Sequence, residues 1–206
     1  MVDPTPSAAH DLIAAKRALR HALRANILAT PLETRRLEQA ACESRFLELP
    51  GFTQARVVCL YVSAFPEELE TRPLVRIALS LGKIVVLPRV DRAARRLVLH
   101  VVDNLETDLA SGAMGIPEPR ADRPMIEPEA VDWLLAPGLG FDDGRHRLGR
   151  GAGYYDRLLP RLSPNAPSWA LCFESQWVAT LPRADHDVPL HGVASASRIV
   201  ERTGPS

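Results

Sequence analysis

The feature that most constrains the fold is a pair of short apolar runs separated by a helical segment. Residues 57–62 form a continuous β-branched and apolar run, as expected of a strand that is buried on both faces. Thr71 is in position to cap a helix that ends at Gly82, and residues 84–87 form the next buried strand. A strand–helix–strand unit of this kind implies a right-handed crossover and two parallel strands in one sheet.

Two helices are predicted before this unit. In residues 8–29, apolar side chains recur at steps of four and seven and form one stripe, while basic side chains recur every four residues on a second face. The apolar stripe comprises Leu12, Leu19, Leu23 and Ile27, and the basic one comprises Lys16, Arg20 and Arg24. Thr30, Pro31 and Glu33 then predict the start of a second helix with a capping box, running to about Leu49.

The rest of the chain continues the alternation of strands and helices. Strands are predicted at 97–102, 133–136 and 169–173, a helix at 154–162, a loop at 103–128 and a terminal extended piece at 193–200. The predicted fold is α/β, a three-layer α-β-α sandwich with a mainly parallel, Rossmann-like sheet. We expect one domain over residues 1–206, with flexible ends at about 1–8 and 203–206.

Charge and cysteine content exclude several classes of protein. Lys plus Arg and Asp plus Glu both number 25, and this balance argues against a protein that coats nucleic acid. Cys42, Cys59 and Cys172 have wide, irregular spacing, which fits neither a disulfide framework nor a zinc site, and Cys59 and Cys172 lie in apolar runs typical of a core. No signal-peptide-like or membrane-spanning run is present, so we expect a soluble, cytoplasmic protein.

The segment 137–157 is the richest in chemistry. It joins the strand at 133–136 to a helix, which is where α/β sheets bind ligands. Alternating glycines allow backbone N–H groups to approach an anion, the helix start favours negative charge, and three arginines offer forked donors for phosphate; these residues are Gly149, Gly151, Gly153, Arg145, Arg147 and Arg150. The alternative is an ordinary surface loop. The segment is neither a Walker A loop nor a dinucleotide fingerprint, so the residues alone predict a phosphate-binding loop of unfamiliar type.

The same segment carries a family resemblance. Residues 147–157, RLGRGAGYYDR, preceded by PGLGFD at 137–142, resemble the signature of the 5-formyltetrahydrofolate cyclo-ligases, also called methenyltetrahydrofolate synthetases. Further blocks agree in order along nearly the whole chain: KRALR at 16–20, ELET at 68–71, LPRV at 87–90, GIPEP at 115–119 and the segment 181–187.

The resemblance implies an ATP-dependent and Mg²⁺-dependent enzyme. In this family ATP phosphorylates the formyl oxygen on N5 to give an iminophosphate, the neighbouring N10 attacks the activated carbon, and phosphate leaves. The products are 5,10-methenyltetrahydrofolate, ADP and phosphate. Such a step needs clamped phosphates, a bridging metal ion and a dry, aligned pair of reactants.

The resemblance also implies roles for individual residues. Lys16 and Arg147 would act in catalysis, and Asp156 and Asp187 would bind Mg²⁺. ATP would contact Lys16, Arg17, Ala18, Leu19, Arg20, Arg147, Leu148, Gly149, Arg150, Gly151, Ala152, Gly153, Tyr154 and Tyr155. The folate would contact Val62, Glu68, Arg150, Gly151, Ala152, Gly153 and Tyr154, with Glu68 bonded to the pterin.

Each assignment has a structural alternative. Lys16 and Arg20 fit a solvated helix face, and Asp156 fits the stabilised first turn of its helix. Any of the neighbouring acids Glu67, Glu68 and Glu70 could simply be exposed to solvent, and Asp185 is as good a candidate by position as Asp187. The aromatic residues near these segments fit a packing role rather than a ligand contact; they are Phe65, Trp133 and Trp177. The six histidines show no metal-ligand spacing and receive no role.

Three residues depart from the family pattern, and two other functions stay open. Ala152 occupies a position that is frequently Gly in the family, and an alanine there would be strained if the backbone had a positive φ. Arg150 occupies a position where many bacterial members have Tyr, and His191 one that is frequently Asp. The alternatives are a folate- or nucleotide-binding relative without turnover, and an ATP-dependent enzyme with another small substrate. Only small-molecule partners are expected, with no nucleic acid or membrane, and the chain is expected to be a monomer.

Overall fold

The structure is a computed structural model that describes residues 6–112, 115–184 and 187–202. Its helices are α1 (Pro6–Ala29), α2 (Leu32–Phe46), α3 (Arg72–Ser80) and α4 (Tyr154–Leu158). Its strands are β1 (Val57–Cys59), β2 (Ile84–Asp91), β3 (Arg96–Val101), β4 (Leu109–Ser111), β5 (Pro117–Pro119), β6 (Met125–Ile126), β7 (Trp133–Leu135), β8 (Gly140–Phe141), β9 (Arg147–Leu148), β10 (Ser168–Leu171), β11 (Gly192–Ala194) and β12 (Ile199–Glu201).

Eight of these strands form one twisted sheet whose centre is parallel. The spatial order is β12-β11-β10-β7-β1-β2-β3-β6. The pairs β11–β10, β10–β7, β7–β1 and β1–β2 are parallel, whereas β12, β3 and β6 are antiparallel to their neighbours. The β1–α3–β2 unit is therefore the parallel crossover that the sequence predicts.

The strand order reverses its direction between β1 and β7. From β1 the chain first adds β2 on one side, and later adds β7, β10 and β11 on the other side. In open α/β sheets a crevice forms outside the carboxyl ends of the strands at such a reversal. The segments that leave β1 and β7 therefore lie on the two sides of a ready-made cleft.

Two apolar clusters cover the two faces of the sheet. On one face Val58 and Leu60 pack with Phe46 of α2 and Val75 of α3. On the other face Cys59 packs with side chains that include Leu158 of α4. Successive residues of a strand point to opposite faces, so one apolar run supplies both clusters and the predicted three-layer arrangement is confirmed.

Neither Thr30 nor Thr71 makes the side-chain cap predicted for it, although Thr71 does occupy the N-cap position of α3. The Thr30 hydroxyl donates to the carbonyl oxygen of Asn26 at 3.1 Å, so it closes the last turn of α1, and Pro31 precedes α2 without a side-chain cap. Only two residues separate the helices, which leaves Thr30 bonded to the first one. Thr71 donates to the Tyr61 carbonyl at 2.5 Å and accepts from the Ser63 N–H at 2.9 Å. It thereby ties the two ends of the loop 63–70 together.

Several element boundaries differ from the prediction. The piece predicted at 193–200 is an antiparallel hairpin of β11 and β12, and the predicted loop 103–128 contains β4, β5 and β6. The predicted helix at 154–162 is α4 followed by a 3-10 turn, Leu159–Arg161. Short strands of two or three residues carry too few side chains to show a period. The expectation of flexible ends mostly concerns residues outside the described ones, and α1 already begins at Pro6.

Candidate functional site

The glycine-rich segment folds as a hairpin followed by a loop that ends at α4. After β7 the chain pairs β8 with β9, and residues 149–153 then cross to the first turn of α4. Gly151 and Gly153 have φ values of +110° and +68°, which L side chains rarely adopt, and Gly153 is the residue preceding α4. Ala152 is not among the described residues with positive φ, so the strain considered for this departure does not arise.

Helix α1 brings two cations to this loop. Lys16 and Arg20 line the cleft, and the Arg20 Nε donates to the Gly149 carbonyl at 2.8 Å. The Lys16 side chain is only 16% exposed, so these two residues are not a solvated helix face. Arg24, one turn further, is half exposed and bonds to Glu67 at 2.9 Å.

The other three residues of the predicted basic block do not line the cleft. Arg17 and Ala18 are exposed, and Leu19 packs against a small cluster that includes Leu23 and Leu148. Positions three and four apart share a helix face and intervening positions do not, so the structure separates these residues from Lys16 and Arg20.

Cations and carboxylates alternate at the nucleotide end of the cleft. Lys16 Nζ lies 2.5 Å from Asp187 Oδ2, and Arg147 donates to Asp156 Oδ1 at 2.6 Å. The Arg147 side chain is 4% exposed, and its Nε is buried without a hydrogen-bond partner among the described residues. A guanidinium buried in this way still has donor capacity for an anion.

The two carboxylates act on one further cation. Partial burial lowers the pKa of Arg20, while the nearby carboxylates of Asp156 and Asp187 act in the opposite direction. Both carboxylates also line the cleft. Asp187 is also held by the Ala184 N–H at 2.8 Å, and its predicted rival Asp185 lies outside the described residues.

The opposite end of the cleft is built on the loop that follows β1. Arg150 donates to Glu68 Oε1 through Nε and Nη2, at 3.1 and 2.8 Å, and to Glu67 Oε1 at 2.9 Å. Its guanidinium lies 3.6 Å from the centre of the Phe65 ring. Glu68 Oε2 accepts from the Ala64 and Phe65 N–H groups at 2.9 and 3.3 Å, so its carboxylate is firmly oriented.

Three expectations for this region need correction or refinement. Among the three acids only Glu70 is exposed; Glu67 is buried, and its pKa is lowered because hydrogen bonds, including that from Arg150, outweigh the opposing effect of burial. Phe65 lines the cleft, contrary to the packing role predicted for it, whereas Trp133 is fully buried in the core as predicted. Arg145 does not line the cleft and donates instead to the Leu190 carbonyl at 3.1 Å.

Between the two ends lies a cleft of about 590 Å³. Its lining also includes the apolar side chains of Pro88, Val90, Leu97 and Ile116, and Val62 lines it where the chain leaves β1 toward Glu68. It has room for a flat organic molecule between a charged loop and a carboxylate. Leu148, Tyr154 and Tyr155, which are also predicted to contact ATP, line the cleft as well. His191, which departs from the family pattern, does not line it and accepts a hydrogen bond from the Ser168 N–H.

One carboxylate in the cleft was missed by the sequence reasoning. Glu118 of β5 lines the cleft although only 3% of its surface is exposed. Its position in the GIPEP block was visible, but no local pattern distinguishes a buried acid from an exposed one. No three His, Cys, Asp or Glu side chains in the described part of the chain are grouped so that they could hold a metal ion unaided.

Comparison with known proteins gives one consistent result. The model of the 5-formyltetrahydrofolate cyclo-ligase family matches residues 12–195. The 5-formyltetrahydrofolate cyclo-ligases of Mycolicibacterium smegmatis and Escherichia coli K12 are 32% and 29% identical, over 89% and 84% of this chain and 94% of each relative.

Solved structures agree with the sequence comparison. The 5,10-methenyltetrahydrofolate synthetase of Aquifex aeolicus superposes with a TM-score of 0.78 at 32% identity, over 93% of this chain and 95% of that one. A Mycoplasma pneumoniae 5,10-methenyltetrahydrofolate synthetase has the same fold, with a TM-score of 0.70 at 20% identity.

Proposed function

The chain belongs to the 5-formyltetrahydrofolate cyclo-ligase family, and on that premise we propose that it converts 5-formyltetrahydrofolate into 5,10-methenyltetrahydrofolate with ATP as co-substrate. The observation that carries the proposal is the arrangement of Lys16, Asp187, Arg147 and Asp156 beside a glycine loop, at one end of an apolar cleft. A metal-bound triphosphate has both signs of charge and therefore matches alternating cations and carboxylates.

The nucleotide is assigned to the end formed by α1 and the loop 147–155. Lys16, Arg20 and Arg147 would exchange their present carboxylate and carbonyl partners for phosphate oxygens. The buried Nε of Arg147 supports this assignment, because none of the described residues accepts a hydrogen bond from it and it offers a free donor to a phosphate. Arg17, Ala18 and Leu19 would act by holding α1 in place.

The donor set also fits Mg²⁺. Asp156 and Asp187 provide the hard carboxylate oxygens that this ion prefers, and phosphate oxygens and water would complete its coordination. Two protein carboxylates are enough, because Mg²⁺ is usually held by one or two carboxylates together with substrate phosphates. When bound, the ion would neutralise part of the phosphate charge.

The reaction proceeds in two steps. The terminal phosphoryl group of ATP passes to the formyl oxygen on N5, which gives an iminophosphate and ADP. N10 then attacks the activated carbon and loses its proton, and the carbon–oxygen bond breaks to release phosphate. Lys16 and Arg147 would stabilise the negative charge on the transferring group, and the apolar side chains that line the cleft would exclude water.

The folate is assigned to the end that contains Val62, Glu68 and Phe65. The amino group and adjacent ring N–H of a pterin suit a carboxylate, and the Phe65 ring offers a flat contact. Glu68 stays oriented by two backbone N–H groups when Arg150 gives up its bonds, so pterin donors can replace those of Arg150. Residues 150–154 would contact both substrates.

Replacing Glu68 with Gln is expected to raise the KM for 5-formyltetrahydrofolate by about 10-fold, since a charge-assisted hydrogen bond is weakened. The KM for ATP should change less than about 2-fold. Steady-state kinetics with each substrate varied in turn would measure both. The matched control is Glu129→Gln, because Glu129 is exposed and lines neither the cleft nor the recess beside it. An equal effect of Glu68→Gln on both substrates would refute the pterin role.

Purified protein, 5-formyltetrahydrofolate and Mg·ATP are expected to produce the near-ultraviolet absorbance of the methenyl product. Omission of ATP should prevent it. Tight folate binding without turnover would favour the non-catalytic relative, and ATP hydrolysis with another acceptor would favour a different substrate.

We further propose that the chain acts as one catalytic domain and as a monomer, which size-exclusion chromatography with light scattering would test.

No helix in residues 6–112, 115–184 and 187–202 is long and apolar enough to cross a membrane. The cytoplasmic location stays a prediction.

A further inference from the structure

Glu118 is a buried carboxylate whose hydrogen bonding is incomplete. Its side chain is 4% exposed, and Oε1 has no hydrogen-bond partner among the described residues. A carboxylate that is buried with an unsatisfied oxygen destabilises a protein, because the water it has lost is not replaced by other hydrogen-bond donors. Unpaired buried groups of this kind are rare in folded proteins and call for a partner from outside the chain.

The nearest cation does not provide that partner. Arg89 Nη1 lies 3.9 Å from Glu118 Oε2, which is beyond hydrogen-bond distance, and it donates instead to the Pro119 carbonyl at 2.8 Å. Arg89 is therefore close to Glu118 but leaves its Oε1 without a hydrogen bond from any described residue.

The local fold makes room for this side chain. Residues 109–111 and 117–119 pair as β4 and β5, which places Ala110 opposite Glu118. At Gly112 a Cβ atom would come within 2.3 Å of the Glu118 carboxyl group, so any larger residue would displace it. The glycine therefore leaves space for the Glu118 carboxyl group beside the cleft.

Glu118 belongs to the folate end of the cleft. Its neighbour Pro117 lines both the cleft and an adjoining recess of about 530 Å³, and that recess is also lined by Phe65 and Glu68. Lys16, Arg147 and Asp187 do not line the recess. A carboxylate at this end would repel a triphosphate but would accept an N–H group.

We propose that Glu118 is a second folate-binding carboxylate, which accepts a hydrogen bond from an N–H group of the reduced folate that Glu68 does not use. The inference rests on the proposed function. With the amino group and adjacent ring N–H assigned to Glu68, two N–H donors near the reacting centre remain, at N8 and N10. Either would complete the hydrogen bonding of Glu118 and help to align N5 and N10 for ring closure.

The test compares Glu118→Leu, which removes the acceptor, with Glu118→Gln, which keeps one at the same place. The dissociation constant of 5-formyltetrahydrofolate, measured by calorimetry without ATP, should rise about 10-fold or more in Glu118→Leu and less than about 3-fold in Glu118→Gln. The KM for ATP should change less than about 2-fold in both. Glu129→Leu, at an exposed position outside the cleft, is the matched control.

Thermal unfolding separates a binding role from a structural one. A binding role predicts that Glu118→Leu unfolds at the same temperature or higher, because an unpaired buried charge has been removed. It also predicts that 5-formyltetrahydrofolate raises that temperature less than in the unsubstituted protein. A large drop in unfolding temperature, equal losses for both substrates, or an unchanged folate dissociation constant would each overturn the proposal.

A truncated substrate identifies the donor. 5-Formyl-6-methyltetrahydropterin keeps N8–H and lacks N10, so a loss of its binding in Glu118→Leu indicates N8–H. If Glu118→Leu weakens binding of the complete folate but not of this truncated compound, the donor is N10–H. Absence of turnover by the unsubstituted protein would overturn the proposed function, whereas an active protein with unaffected Glu118→Leu would overturn this inference alone.

Discussion

Replacing Arg147 with Ala is expected to lower kcat/KM by about 10³-fold while the protein remains folded. The guanidinium is almost fully buried, its Nη2 donates to Asp156, and its Nε has no hydrogen-bond partner in the part of the chain that the structure describes. It is therefore the cation best placed to stabilise charge on the transferring phosphoryl group. Its loss should lower kcat as well as ATP affinity, because the contact strengthens as that charge develops.

The absorbance assay and circular dichroism together measure this result. Arg161→Ala is the matched control, because Arg161 is an arginine outside the cleft that pairs with Glu127 and Glu129 near the surface. The control should keep its activity, since an exposed ion pair contributes at most about 1 kcal/mol. A normal kcat together with a normal far-ultraviolet spectrum for Arg147→Ala would refute the proposal that Arg147 binds the transferring phosphoryl group.

Replacing Asp187 with Asn is expected to raise the Mg²⁺ concentration needed for half-maximal rate by about 10- to 100-fold. Asp156 and Asp187 are the two carboxylates proposed to hold the metal ion, so an uncharged amide at one of these two positions removes half of their negative charge. Excess Mg²⁺ should restore much of the rate, which distinguishes weaker metal binding from a lost catalytic group.

Titration of Mg²⁺ at saturating ATP and folate would measure this shift. Asp143→Asn is the matched control, because Asp143 lies outside the cleft and pairs with Arg198. Because Asp187 also accepts from the Ala184 N–H, thermal unfolding of the variant should accompany the titration. If activity falls while the Mg²⁺ requirement is unchanged, Asp187 does not bind the metal ion and instead holds Lys16 in position.

The alternation of charges explains how so many charged side chains can lie together in the cleft. Lys16, Arg147 and Arg150 each pair with a carboxylate, so no cluster of like charge has to be buried before the substrates arrive. In the proposed reaction these side chains would exchange their present partners for phosphate oxygens and a metal ion, which limits the electrostatic penalty of ordering the site.

The sequence was a good guide to the layers and a poor guide to the ends of elements. The apolar run that begins at Val57 and the amphipathic helices indicate the fold class, because a continuous short apolar run is typical of a strand buried on both faces and a period of 3.6 residues is typical of a helix with one buried face. Thr30 and Thr71 show the limit. A hydroxyl can bond to several carbonyls within reach, and which one it finds depends on the neighbouring helix or loop.

The sequence by itself determined the α/β class, the glycine loop and the residue types needed for phosphate binding, because these depend on local periodicity and on chemistry carried within one segment. Only the tertiary structure decided which of those residues meet. Lys16 and Asp187 are 171 positions apart, and Glu118 is buried in the cleft, while Arg17 and Arg145 lie outside it. Such contacts follow from the strand order around β1 and β7, and that order is fixed by packing among segments distant in the chain.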